Sequence, residues 1–189
     1  MSRAGARLPR SALALAGAAL GALGCLSDVD LDVEAAEFEE PERTPLAVAS
    51  GWVELPGSRD PLADHRPDPV VCSVAAWGPE GPSLEVQTGA CNYFSVAHET
   101  LVELTPGDEL VLDLWHDDLD ASEPAKAHLA LLLDGRLLLE ARYAIPSEAR
   151  VHQLRAEITE PAPAGAELVL HLHNHGYNSW SFVELARLR

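Results

Sequence analysis

The side chains best equipped for chemistry fall in one stretch, residues 166–183, AELVLHLHNHGYNSWSFV. Its first half alternates strictly. Leu168, Leu170 and Leu172 share one parity, and Val169, His171, His173 and His175 share the other. A strand sends successive side chains to opposite faces, so this one would carry leucines on one face and a row of imidazoles on the other. Imidazoles at i and i+2 point the same way, which suits a divalent metal held between one strand and a neighbour. His171, His173 and His175 are therefore candidate metal ligands, with His116 beside Trp115, or His128 on the next strand, as a further one. Nitrogen donors suit Zn or Cu; no other cofactor is called for. The plainer reading of the same row is a polar outer strand face.

The second half of the stretch offers a different chemistry. Trp180, Tyr177, Asn174 and Asn178, with Trp115 elsewhere, are the residue types that bind sugars: exposed rings stack on pyranose faces, and amides bond hydroxyls. The same residues have structural roles to weigh against this. Trp180 and Phe182 would serve as core at the end of a strand pair. Asn174 and Asn178 flank Gly176, and Asn is a turn residue because it tolerates positive φ and caps its own backbone. Other constellations carry less. Ser95 with His98 has no nucleophile elbow and no placed acid. Asp113, Asp117, Asp118 and Asp120 near His116 would suit calcium, but read first as a solvated loop. No phosphate-cradling glycine loop is present, and among thirty acids a pair of carboxylates at glycosidase separation means nothing.

These residues need a frame to hold them, and from about Leu46 the chain reads as short alternating apolar runs separated by Pro, Gly and Asp. Strands are expected over residues 46–55, 70–77, 83–88, 93–97, 109–116, 127–133, 136–143, 151–158, 167–174 and 179–188. Asp134-Gly135, between LALLL and RLLLEA, is the clearest turn, because an Asp-Gly pair flanked by apolar runs is a strong two-residue hairpin signal. Helix is nearly absent. The expected fold is all-β: a two-sheet antiparallel sandwich, jelly-roll-like, of about ten short strands. In length, strand count and C-terminal strand pair this region resembles jelly-roll carbohydrate-binding and galactose-binding-like modules. The resemblance implies a non-enzymatic binding domain with a carbohydrate ligand, carried here by Trp180, Tyr177, Asn174, Asn178 and Trp115. A His-x-His strand in a jelly roll is also faintly similar to copper-dependent monooxygenase domains and cupins. The chain departs from both: a cupin's glutamate and second motif are not recognisable, and the only Met is the initiator.

The rest of the chain concerns delivery. Arg3, Arg7 and Arg10 precede the apolar run SALALAGAALGALG, which is too short to span a bilayer. The run ends in Ala22-Leu23-Gly24-Cys25. This resembles the lipobox of bacterial lipoproteins, although Ala22 stands where the family usually has Leu. The resemblance implies a signal peptide over residues 1–24, cleavage before Cys25 and lipidation of that cysteine. Cysteine arithmetic agrees. Of three cysteines in an exported protein, Cys72 and Cys91 then remain as a pair expected to form a disulfide. Residues 25–44 follow as lipidated Cys and acidic tether, with eight acids and one base over 27–43. Residues 45–189 are the sandwich. By the same resemblance, Leu26 and Ser27 lack the aspartate that retains such proteins at the inner membrane, which favours the bacterial outer membrane. Loss of residues 1–24 leaves ten bases against thirty acids, a net charge of −20. That excludes a nucleic-acid partner, whose binding needs a basic footprint, and leaves the membrane, through lipid, and a glycan or envelope protein as partners. Two functions stay open: a non-enzymatic envelope binding module, or a metal-binding protein using the histidine row.

Overall fold

The computed structural model describes residues 41–189. The expected signal peptide, Cys25 and most of the expected acidic tether lie outside the described residues. Eleven strands are described, all paired antiparallel: β1 (Arg43–Pro45), β2 (Val53–Glu54), β3 (Trp77–Glu80), β4 (Ser83–Gln87), β5 (Tyr93–Glu99), β6 (Glu109–His116), β7 (Ala125–Leu133), β8 (Arg136–Ile145), β9 (Arg150–Glu157), β10 (Glu167–His173) and β11 (Ser179–Leu188). The first sheet runs β3-β4-β11-β6-β9, with β1 also on β11. The second runs β2-β5-β10-β7-β8. The protein is a two-sheet antiparallel sandwich. Among the described residues no helix is long and apolar enough to cross a membrane.

The alternation read from sequence builds the core. Leu110, Leu112 and Leu114 of β6 face Leu168, Leu170 and Leu172 of β10 and Leu129, Leu131 and Leu133 of β7, all buried in one cluster. Burying a leucine is worth roughly 1.5–3 kcal/mol each, so this layer dominates the fold's stability. In β11 the inward parity changes midway. Trp180 and Phe182 point in, a bulge falls at Val183, and Leu185 points in after it. The bulge lets one strand serve the core over its whole length. The Asp134-Gly135 hairpin forms between β7 and β8 with both residues at positive φ, 47° and 75°, the backbone a two-residue hairpin requires.

Two expected strands are not formed. Residues 46–55 yield only the two residues of β2. Residues 70–77 enter a strand only at Trp77, with Cys72 making an isolated bridge to Cys91. Arg43 and Thr44, placed in the tether on sequence, belong to β1. In place of those strands, residues 55–76 cross the outer face of the second sheet as a strap. Leu55 and Leu62 pack on Ala97, Ala130, Leu132 and Val169. Tyr93 Oη lies 2.8 Å from Asp60 Oδ2 and 2.9 Å from the Leu62 carbonyl, and Arg66 sits over the Tyr93 ring. The Cys72–Cys91 disulfide fixes the strap's far end to the turn before β5.

Candidate functional site

The histidine row sits on β10, on the face away from the leucines, as the alternation requires. It is not a solvent face. The strap covers it, and His171 is fully buried while His173 is half-buried and His175 exposed. His171 Nδ1 lies 3.0 Å from Ser95 Oγ on β5. Its Nε2 lies 3.1 Å from Nε2 of His65, which the strap brings down from above. His65 Nε2 is also 3.3 Å from Nδ1 of His128 on β7. His128 Nε2 in turn lies 2.9 Å from a Glu140 carboxylate oxygen on β8. His173 stands cross-strand from His128, its ring parallel to that of His65 at 5.9 Å between centroids. Burial, then the neighbouring rings, push the His171 imidazole down to about 2 and His173 down to about 4. His128 is likewise held low by burial, against the pull of Glu140.

His116 does not join this row. It is a residue of the other sheet and turns into the interior, where it meets His152 at 3.0 Å between Nε2 atoms, with Tyr143 and Trp180 packed around the pair. The candidate metal set of His171, His173, His175 and His116 is thus corrected: His116 belongs to a separate interior cluster. His65, absent from the sequence-derived set, is central. Nothing periodic marks it, because it lies in a Pro- and Asp-rich stretch that looks like plain loop.

Trp180 is completely buried, so neither ring face is open to a sugar. Its parity with Phe182 already allowed for that role. Asn174 and Asn178 are also buried, and their work is to hold a loop. Asn178 accepts from the Asp120 amide at 2.7 Å, and its Nδ2 donates to the His175 carbonyl at 2.8 Å, as does Asn174 Nδ2 at 2.9 Å. Thr88 Oγ1 lies 3.1 Å from the Gly176 carbonyl. Gly176 adopts φ +85°, and a Cβ there would stand 1.8 Å from the Asp120 carbonyl oxygen, so only glycine fits. Trp115 is partly exposed on the outer face of the first sheet, between Ser181 and Val151, away from this loop.

The loop presents Tyr177. Tyr177 is 88% exposed, and the Cδ1 edge of its ring rests against Gly89, where a Cβ would come within 2.2 Å of Cδ1. The rest of the ring is free. Beside it runs a groove of about 600 Å³ whose lining includes Asp120, Ser122, Glu123, His175 and Tyr177. Ala121, Pro124 and Ala125 supply its apolar part. A rigid ring flanked by carboxylates, a hydroxyl and an imidazole can hold a ligand with one apolar face and a rim of hydrogen-bond donors.

No protein-family model matches the chain, and no curated protein matches it. Among solved structures it is similar to an arabinose-bound α-L-arabinofuranosidase (15% identity, TM-score 0.42, over 78% of this chain and 25% of that one). It is also similar to a mutant of a family 29 carbohydrate-binding module (10%, TM-score 0.43, over 79% and 92%). A third is the N-terminal cellulose-binding domain of a Cellulomonas fimi β-1,4-glucanase (14%, TM-score 0.37, over 61% and 90%). The chain thus spans a quarter of the arabinofuranosidase's length but nearly all of the two binding modules.

Proposed function

We propose that this chain is a non-enzymatic carbohydrate-binding domain, displayed on an acidic tether from a lipid at Cys25 on the bacterial envelope, in the outer membrane. The observation that carries the ligand class is the Tyr177 platform. Its loop is fixed before any ligand arrives, so little ordering cost falls on binding. The free ring face suits the apolar face of a pyranose, and Asp120, Ser122, Glu123 and His175 suit its hydroxyls. The net charge of −20 left after the signal segment turns away anionic ligands and favours a neutral, hydroxyl-rich one.

The direct test is a glycan array probed with the full chain and with Tyr177→Ala. The account expects a defined set of neutral glycans whose signal falls at least about tenfold in the variant, a change of roughly 1.4 kcal/mol. Thermal melting should be unchanged, because Tyr177 is exposed. An array without specific signal, or one indifferent to the substitution, contradicts the proposal.

A further inference from the structure

We infer that His65, His128 and His171 are the ligands of a divalent transition-metal centre, Zn(II) or Cu(II) in type, that fastens the strap to the second sheet. The inference is independent of the glycan groove. Three nitrogens from elements far apart in the chain, His65 Nε2, His128 Nδ1 and His171 Nε2, all lie within 4.8 Å of one another. Two of the separations are 3.1 and 3.3 Å. A tetrahedral ion with metal–nitrogen bonds of about 2.0–2.1 Å places its ligands roughly 3.3–3.4 Å apart. Two sides of the triangle match the edge of such a centre, and the third lies within 4.8 Å.

Hydrogen bonding alone does not account for it. A carboxylate can only accept, so Glu140 fixes the proton of neutral His128 on Nε2 and leaves Nδ1 as a lone pair. That lone pair and His171 Nε2 both converge on the single His65 Nε2, which offers one in-plane position, a proton or a lone pair, and so cannot serve both. A cation at the centre of the triangle satisfies all three lone pairs at once. The outer contacts are those that metal-bound imidazoles keep. His128 has a carboxylate on its other nitrogen, which fixes its tautomer, and His171 has a serine hydroxyl on its other nitrogen, which orients the ring. With His171 wholly buried and His65 and His128 half-buried, the centre is held back from the open surface, which fits a structural role. His65 is the only one of the three ligands outside the sheet, so the ion would close the strap onto β7 and β10.

The full chain, produced without a histidine tag and stripped with chelator, is titrated with Co(II) and then Zn(II). The account expects about one equivalent of cobalt with the intense visible absorption of a tetrahedral nitrogen site, displaced by zinc. His65→Ala and His128→Ala, both at half-buried positions, should each abolish that absorption, while His152→Ala should retain it. Ser95→Ala leaves every ligand in place and should weaken binding roughly 10- to 100-fold. Zinc should also raise the melting temperature of the parent chain and leave His65→Ala unmoved. Absence of bound cobalt and of any melting shift in the parent chain overturns the inference, as does absorption that survives both substitutions.

Discussion

His171 and Trp180 lie nine residues apart in sequence and mark what single residues disclosed. The parity of Trp180 with Phe182 offered a core role beside the sugar-binding one, and the buried indole takes the core role. The parity of His171 correctly put it opposite the leucines, but what covers that face is decided by a strap more than a hundred positions earlier. No local pattern encodes such a contact, which is why His65 was invisible. The interior pair at His116 makes a residue-scale prediction. The Asp117 carbonyl lies 2.7 Å from His116 Nδ1 and can only accept, so His116 donates its Nδ1–H there and Nε2 is left to accept from His152 Nε2–H. Burial, followed by the nearby His116 and Arg150, holds His152 below its ordinary range. The unfolded chain therefore binds this proton more readily than the folded one. Its stabilising contribution is complete above about pH 6.5 and is lost as pH falls toward the lowered folded value, at up to about 1.4 kcal/mol per pH unit. His152→Gln, which can still donate to His116, should lessen the slope of that acid limb by the share of one proton in urea unfolding followed from about pH 7 to 5, the other lowered histidines keeping theirs. An unchanged limb would refute the assignment.

Elements were legible where pattern and turn chemistry agreed. The β7–β8 hairpin and the β6 and β10 leucine faces follow from the Asp-Gly pair and the period of two. Only the ends of the strap, Leu55 and residues 70–76, read as strand; between them Leu62 has no alternating neighbours to mark it, and it buries a face by crossing the second sheet, not by extending it. The strap's end is fixed by the Cys72–Cys91 bond, whose partners are 19 residues apart. Closing a loop of that size stabilises by about 3 kcal/mol. A Cys72→Ser, Cys91→Ser double variant should lose about that much in urea unfolding, and a loss under about 1 kcal/mol would show that packing and hydrogen bonds hold the strap unaided.

At the scale of the whole molecule, the proposed envelope location rests on charge and the N-terminal pattern, and the sandwich sets what the domain can present. Cys25→Ser should move the protein from the membrane fraction to the soluble one without altering the melting of the sandwich; continued sedimentation with membranes would refute lipid anchoring. The sandwich's class was readable in the spacing of strands and turns. The binding surface was not: of five residues chosen on sequence, the structure leaves Tyr177 in a groove, puts Trp115 on another face, and uses Asn174, Asn178 and Trp180 to build the frame. The account therefore stands on one place. Backbone amide shifts of the isotopically labelled chain, followed while a neutral oligosaccharide selected from the array is added, locate its binding surface directly. The account predicts saturable shifts confined to residues 120–125 and 175–178, absent in Tyr177→Ala. Saturable shifts centred on Trp115 or on the strap, or no shifts with any neutral glycan, would contradict it.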